Sequence, residues 1–314
     1  MSALICGSMA YDTIMVFSGR FKNEILPNKV HILNVAFLVP ELRREFGGTA
    51  GNIAYNLHLL GSDALPMATV GKDFDAYTAW LEQHGIERGL LKAVPEAYTA
   101  QAYITTDLDD NQITAFHPGA MNFAHTQPIV TSHGKHKVKV ASISPDGREG
   151  MLQHATQLAE ANIPFLFDPG QGLPMFDGND LKGFIDKASY VAVNDYESEV
   201  LMERTGLSLK QIAERVDALI VTHGGKGSQI LTGGKVHDIP CAHAHSLADP
   251  TGCGDAYRGG LLYGLLQGMD WETAGRIGSL MGAIKIERPG PQNHTTTLEK
   301  FRARFKKEFG HVLS

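Results

Sequence analysis

Short runs of apolar residues alternate along the chain with stretches in which apolar residues recur every three or four positions. Each run is bounded by glycine or polar residues, which is the pattern of a buried strand. The predicted strands are 4–6, 64–70, 137–143, 164–167, 190–193 and 219–222. The helical spacing predicts helices at 53–60, 74–84 and 149–161, and a solvated amphipathic helix at 298–309. Strands that alternate with helices predict a mostly parallel sheet covered on both faces.

Two stretches, 13–40 and 98–118, contain extended patterns without intervening helices. In the first, positions 30–39 alternate and then become wholly apolar before a proline, which predicts a strand. In the second, the polar turn at 107–111 separates two extended runs, as in a hairpin. We therefore predict one α/β domain over 1–314, with a small β-sheet lid made by these two stretches.

Polar residues follow several of the predicted strands. Asp12, Asp168, Asn194 and Thr222 all come at or soon after the end of an apolar run. Ligands of parallel α/β sheets bind beyond the carboxyl ends of the strands. These four residues therefore predict a ligand site along one edge of the sheet.

The charge and the cysteine content exclude several classes of protein. The 28 Lys and Arg residues are outnumbered by 34 Asp and Glu, a net charge of -6, so no positive field attracts a nucleic acid. No apolar run is long enough to span a bilayer, and the first residues lack a signal-peptide pattern, so we expect a cytoplasmic protein without membrane partners. The 3 cysteines and 14 histidines show no metal-ligand spacing.

The strongest local motif is DPTGCGDA at positions 249–256, just before a helical pattern. Glycines ahead of a helix expose backbone N–H groups, which bind anions together with the helix dipole. Asp255 at the edge of this loop is placed to accept a proton from a hydroxyl that attacks phosphorus. The loop alone is also compatible with an ordinary capped helix whose Asp255 favours the positive end.

Three further motifs accompany this loop in a recognisable order. Gly47 and Gly48 open a helix with Asn52 four positions after Gly48, positions 194–197 are NDYE, and positions 222–227 are THGGKG. Together the four motifs resemble the ribokinase-like (PfkB) carbohydrate and nucleoside kinases, whose signatures are D-T-x-G-A-G-D, N-x-x-E and T-x-G-x-x-G. The resemblance implies a ribokinase-like, Rossmann-type three-layer sandwich with a small β-sheet lid.

Within this family, positions 7–12, 37–39 and 116–121 are similar to the bacterial adenosine kinases of the mycobacterial type. This similarity runs through nearly the whole chain. It implies ATP and Mg²⁺ as cofactors, adenosine as the substrate, and a homodimer whose lids pack together.

The resemblance also implies which residues bind the substrate. Asp12 and Asn52 would bind the ribose hydroxyls, Gly48 would let the sugar approach the backbone, and Phe37 and Phe116 would stack on the base. The full set of implied substrate residues is Ser8, Asp12, Phe37, Gly48, Asn52, Phe116 and Gln171. Two positions depart from the mycobacterial type, because Ala102 replaces an aromatic residue and Gly172 replaces an amide. These departures predict a roomier base site.

The catalytic and nucleotide residues follow from the same resemblance. Asp255 would be the catalytic base, and Gly252, Cys253 and Gly254 would form the anion hole. The implied ATP-binding residues are Asn194, Thr222, Gly224 and Gly227. Asn194 and Glu197 would organise Mg²⁺ through water, and Asp249 and Thr251 would hold K⁺ with the backbone carbonyls of 288–290.

The sequence therefore predicts an adenosine kinase that transfers the γ-phosphoryl of ATP to the 5′-hydroxyl. A ribokinase or another PfkB sugar or nucleoside kinase is the first alternative, distinguished by whether free ribose or a nucleoside is consumed. A catalytically silent nucleoside-binding protein is the second, and the intact Asp255 and Glu197 argue against it.

Overall fold

The structure, a computed structural model, describes residues 1–25, 34–109 and 111–313. The strands are β1 (Ser2–Cys6), β2 (Ala10–Val16), β3 (Glu41–Gly47), β4 (Ala64–Gly71), β5 (Leu91–Val94), β6 (Ala100–Thr106), β7 (Gln112–His117), β8 (Ser132–His133), β9 (His136–Ile143), β10 (Phe165–Phe167), β11 (Tyr190–Asn194), β12 (Ala218–Thr222), β13 (Ser228–Thr232) and β14 (Lys235–Ile239). The helices are α1 (Phe21–Glu24), α2 (Thr49–Leu59), α3 (Asp75–Gln83), α4 (Arg148–Glu160), α5 (Gly178–Ile185), α6 (Asp195–Thr205), α7 (Leu209–Ala213), α8 (Cys253–Gln267), α9 (Trp271–Ile286) and α10 (Leu298–Phe309). Every strand and helix predicted outside the lid is present within one or two residues, apart from the longer α2.

The larger sheet has the order β14-β13-β12-β11-β10-β9-β1-β4-β5, and β8 pairs with β9. The strands from β12 through β5 run parallel to one another, as predicted. Both faces of this sheet are covered, because alternate residues of β1 enter different core clusters. Ile5 packs in a cluster with Ile53 of α2 and Leu280 of α9, and Leu4 packs in another with Leu181 of α5. The predicted fold class is confirmed.

The second sheet is the predicted lid, with the order β3-β2-β6-β7. The prediction of a strand at 30–39 was wrong for residues 34–39. Residues 30–33 lie outside the described residues, and residues 34–39 form no regular secondary structure. The strand that pairs with β2 is β3 instead, and its charged sequence ELRREFG gives no alternating apolar signal. The short helix α1 interrupts a stretch that was predicted to be free of helices.

One more prediction needs correction, and one element was not predicted. Asp12 lies in the middle of β2 in the lid and not at the end of a strand of the larger sheet. Strand β12 is the last of the predicted strands, and an antiparallel hairpin of β13 and β14, which was not predicted, extends the sheet beyond it. Gly233 and Gly234 form the turn of this hairpin, both with positive φ, and a Gly-Gly pair is a recognised hairpin signal.

None of the helices in the described part of the chain is long and apolar enough to cross a membrane.

Candidate active site

The glycine-rich loop leads directly into α8, as the sequence predicted. Gly252 precedes the helix with φ 80°, a left-handed conformation that glycine adopts without strain. No side chain caps the helix, so its first amide groups face the loop. The amide of Cys253 is engaged, because it donates to the carbonyl of Pro250 at 3.1 Å. The amides of Gly252 and Gly254 make no hydrogen bond in the described part of the chain, and these two glycines line a cavity of about 430 Å³.

Asp255 lies in the first turn of α8 and lines the same cavity. Burial raises the pKa of this carboxyl to about 7, although a hydrogen bond from Asn52 opposes the shift and Asp168 adds to it. The amide nitrogen of Asn52 donates to Oδ2 of Asp255 at 2.8 Å. A carboxylate with a pKa near neutrality at a helix N-terminus is suited to act as a general base beside an anion.

Asn52 therefore contacts Asp255, the predicted catalytic base, which is a role that the sequence did not assign to it. Its own carbonyl oxygen accepts from Nε2 of Gln292 at 3.0 Å, and the same Nε2 lies 2.6 Å from the hydroxyl of Tyr77. Gln292 and Tyr77 are buried, so this chain of hydrogen bonds fixes the orientation of the Asn52 amide. Sequence reasoning missed both residues, because Tyr77 lies far from every motif and Gln292, two residues after Gly290, belongs to none of the four motifs.

A buried ion pair lies beneath the cavity. Arg258 of α8 donates to Oδ1 of Asp168 at 3.0 Å, and both side chains are about 95% buried. Both residues also line the cavity with Asp255. Asp168 was predicted at a strand end, and Arg258 was missed, although a lone arginine among the small and apolar residues that follow the loop is a usable signal.

Asn194 and Glu197 line the cavity and also cap α6. The side chain of Asn194 accepts from the amide of Glu197 at 2.7 Å, and Oε2 of Glu197 accepts from the amide of Asn194 at 2.8 Å. Burial raises the pKa of Glu197, with a further contribution from Asp168, while Arg258 lowers it. The predicted magnesium residues thus converge near the loop, with a structural role as well.

A second cavity, of about 390 Å³, adjoins the first and shares Thr222, Gly224 and Gly254 with it. Gly227 also lines this second cavity, so the residues predicted to bind ATP at 222–227 lie together. The remaining lining is largely apolar: Ala242, Ala244, Leu247, Pro250, Ala283 and Ile286 are among it. An apolar slot that opens onto an anion loop suits a nucleobase with its phosphates directed towards α8.

Asp12 lies close enough to Asp255 for its charge to raise the pKa of that carboxyl. Burial raises the pKa of Asp12 to about 6, and the nearby carboxylates of Glu45 and Asp249 raise it further. A Cβ on Gly48 would lie 2.5 Å from the carbonyl oxygen of Ser8. Gly48 therefore lets the chain pass close to the backbone of residue 8, in addition to any closeness to the sugar.

Ser8 itself is buried, and its hydroxyl accepts from the amide of Thr49 at 3.2 Å. This contact joins the end of β1 to the start of α2, so the structure gives Ser8 a positioning role.

The residues predicted to bind the nucleobase do not all lie together. Phe116 is 48% exposed, and it shares a face of the lid with Ala102 and Asp12, which are paired in register across β7, β6 and β2. Phe37 packs on Phe17 with ring centroids 4.9 Å apart, and the described residues contain no contact between the Phe37 and Phe116 rings. Gln171 is exposed and lines the same cavity as Asp255.

The predicted potassium residues show an arrangement that the sequence did not reveal. The carboxylate of Asp249 accepts from the amides of Thr251 at 2.9 Å and of Gly290 at 2.8 Å. Burial raises the pKa of Asp249, but the amides of Gly290 and Thr251, the Thr251 side chain and the charge of Lys285 together lower it below the usual value. The ammonium of Lys285 donates to the carbonyl oxygen of Asp249 at 2.6 Å.

Several known proteins are similar to this chain in sequence and in structure. The profile of the pfkB family carbohydrate kinases matches residues 11–298. The structure of the Burkholderia thailandensis nucleoside kinase in complex with inosine is 51% identical to this chain, covers 99% of both chains and superposes with a TM-score of 0.89. The nucleoside kinase of Methanocaldococcus jannaschii is 34% identical over 87% of this chain and 90% of its own length. The ribokinase of Lactococcus lactis is 28% identical over 83% of this chain and 85% of its own.

Proposed function

This chain belongs to the pfkB family of carbohydrate kinases, and from that premise we propose that it phosphorylates the 5′-hydroxyl of a purine nucleoside, with ATP as donor. As a member of this family it is a phosphotransferase that acts on an alcohol group. The observation that carries the proposal is the position of Asp255, which has a raised pKa, is oriented by Asn52 and lies at the uncapped start of α8. This observation argues against a catalytically silent binding protein.

In the proposed reaction the oxygen of the 5′-hydroxyl attacks the γ-phosphorus while Asp255 accepts the proton of that hydroxyl. The bond between that phosphorus and the oxygen bridging it to the β-phosphate breaks, and ADP leaves. The amides of Gly252 and Gly254 stabilise the charge on the transferred group. Thr222, Gly224 and Gly227 line the slot proposed for the adenine nucleotide.

Mg²⁺ fits this site as a companion of the ATP phosphates and not as a caged ion. The described residues contain no cluster of three or more acidic, histidine or cysteine side chains that could hold a metal. Mg²⁺ usually keeps several waters and binds through one or two carboxylates and the substrate phosphates. Glu197 lines the cavity and would hold the ion through water, with Asn194 beside it; the ion would neutralise phosphate charge.

The acceptor proposed from the sequence is adenosine. Inosine is a second candidate, because the Burkholderia thailandensis nucleoside kinase is described in complex with it. The face of the lid that bears Asp12 and Phe116 supports a nucleoside, since a carboxylate for the ribose diol and an aromatic ring for the base lie in one row. Ala102 lies between them, and its small side chain favours acceptance of more than one base.

An ADP-release assay over adenosine, inosine, guanosine, cytidine, ribose and fructose 6-phosphate tests this proposal. We expect the purine nucleosides to be consumed with kcat/KM at least about a hundredfold above that for ribose, because ribose lacks the base contacts. A preference for free ribose would favour the alternative of a ribokinase, which the relative from Lactococcus lactis supports. Release of ADP with none of the six acceptors would contradict the proposal.

A further inference from the structure

Lys285, in the last turn of α9, has a side chain that is completely buried. Lysine is almost never fully buried without a partner, because removing an ammonium from water is costly. Neighbours in the helix such as Ala283 and Ile284 belong to the apolar core. A buried positive charge at this position therefore requires a compensating structure around it.

The compensation comes from two backbone carbonyls that belong to different segments. The ammonium donates to the carbonyl oxygen of Asp249 at 2.6 Å and to that of Arg288 at 3.3 Å. Burial lowers the pKa of Lys285 below its usual value, although the neighbouring carboxylate of Asp249 opposes this shift. That carboxylate is itself held by two backbone amides, so the ammonium is bound mainly by carbonyl oxygens. Convergent carbonyl oxygens are also what a protein offers to K⁺.

The segments that contain Asp249 and Arg288 support the glycine-rich loop of Gly252 and Gly254, which we call the anion loop. The amide of Asp249 donates to the carbonyl of Ile286 at 3.2 Å, and the amide of Gly290 donates to the Asp249 carboxylate. The amide of Cys253 donates to Pro250, the next residue after Asp249. The ammonium thus lies behind the loop whose front presents the amides of Gly252 and Gly254 to the phosphate cavity. Its charge also adds to the positive potential at the start of α8.

We propose that the ammonium of Lys285 stands in for the monovalent cation expected at Asp249 and Thr251, so that turnover does not require K⁺. Lys285 is then a positioning residue, which holds the carbonyls of Asp249 and Arg288 and thereby the anion loop. This inference rests on the proposed phosphoryl transfer and revises the potassium site that the sequence predicted.

The first test uses the unmodified enzyme. Initial rates are measured in tetramethylammonium buffer free of K⁺, Na⁺ and NH₄⁺, and again with KCl or tetramethylammonium chloride at equal ionic strength. We expect rates equal within about twofold. Activation by K⁺ of about tenfold or more would overturn the inference, since the site would then have room for the ion as well.

The second test replaces the lysine. Lys285→Met keeps most of the apolar stem without the charge, and Lys285→Ala also leaves a void. We expect kcat of both variants to fall by at least about tenfold, less than the 10²–10³ typical of a lost direct donor. KCl should restore much of the loss in Lys285→Ala and less in Lys285→Met. Unchanged kcat in Lys285→Met, or a folded Lys285→Ala that no monovalent cation rescues, would overturn the inference.

Lys139 supplies a matched control. Its ammonium also donates to a backbone carbonyl, that of Leu266, at 2.6 Å, but near the far end of α8. Lys139→Met should keep its kcat and should gain no dependence on K⁺, whereas a purely structural role for Lys285 would make the two substitutions behave alike.

The melting temperature, which can be measured without any acceptor, separates this inference from the proposed function. K⁺ should raise the melting temperature of Lys285→Ala relative to tetramethylammonium at equal ionic strength, and should leave the unmodified chain unchanged. If none of the nucleosides is phosphorylated but this shift occurs, the proposed function fails and the ammonium's place in the cation site stands. A melting temperature of Lys285→Ala that does not respond to K⁺ would count against that place.

Discussion

Several residues of the site have ionisation properties set mainly by burial, and Asp255 is the most consequential. Its pKa of about 7 means that an appreciable fraction is protonated at neutral pH, when it cannot accept a proton. Asp12 has a pKa raised to about 6 by burial and by nearby carboxylates. The site is therefore built to become fully active only as the pH rises above neutrality.

We expect kcat/KM to increase about tenfold per pH unit below pH 7 and to level off above it, because the ionised Asp255 is the active form. Asp255→Asn can still accept the hydrogen bond from Asn52 but cannot act as a base. Its kcat should fall by about 10²–10⁴ and should lose this pH dependence, with MgATP affinity retained. Turnover of the folded variant within a few-fold of the original would contradict the assigned role.

Cys253 provides a second prediction at this scale. Burial raises the pKa of its thiol to about 11, against the opposing effect of Lys285, so the thiolate is scarce at neutral pH. Cys253 lines the nucleotide cavity, as does the exposed Cys241. In a Cys241→Ser background, we expect iodoacetamide to label Cys253 slowly, faster as the pH rises towards 10, with loss of activity and protection by MgATP.

Peptide mapping measures this labelling, with the buried Cys6 as the internal negative control. An unlabelled Cys253 in the enzyme without nucleotide, or equal labelling with and without MgATP, would mean that the thiol points away from the nucleotide.

At the scale of elements, the sequence predicted six strands of the parallel sheet because each is a compact apolar run between helices. It missed the edge strand β5, whose sequence LKAV has only one buried residue. In the lid it predicted the pair β6 and β7, but it missed β3, which carries charged residues, and it placed Asp12 at a strand end and not within β2. The four motifs predicted the loop of Asp255, but not Gln292, which donates to Asn52, or Tyr77, which accepts from Gln292. Contacts between distant, unpatterned segments leave no local signal in one sequence.

The two glycines that flank α2 yield a prediction. Gly48 and Gly61 flank α2 with φ of 83° and 77°, but a Cβ would meet the Ser8 carbonyl at 2.5 Å in the first case and nothing within 4 Å in the second. Gly61→Ala should cost about 1–2 kcal/mol of unfolding free energy for the left-handed conformation alone. Gly48→Ala should cost about 1–3 kcal/mol more for the overlap, and should raise the KM for the nucleoside.

Urea denaturation of both variants gives the free energies of unfolding, and steady-state kinetics gives the KM values. Equal stability of the two alanine variants, with an unchanged KM in Gly48→Ala, would show that residue 48 has more room than the structure gives it.

At the scale of the whole molecule, the lid is a four-stranded sheet whose outer strands, in the described part of the chain, are β3 and β7, and β7 is exposed along its entire length. One face carries Asp12 and Phe116, the residues proposed to bind the nucleoside. The opposite face presents Leu42 and Ile113, which are 63% and 44% exposed. Exposed apolar groups on one face of a small sheet are typical of an interface between proteins.

The homodimer through the lid remains a prediction, and this face is where we place it. Sedimentation equilibrium should give a dimer for the unmodified chain. Ile113→Asp should weaken dimerisation by at least about a hundredfold, because burying an unpaired carboxylate costs about 3 kcal/mol or more. Val236→Asp, at a somewhat more exposed position on β14 at the far edge of the larger sheet, should leave the dimer intact. A monomeric unmodified chain, or a dimer that Ile113→Asp does not weaken, would exclude this interface. Because the same strands carry Asp12 and Phe116, a monomeric but folded Ile113→Asp should also have a higher KM for the nucleoside, as the lid loses the partner that holds it in place.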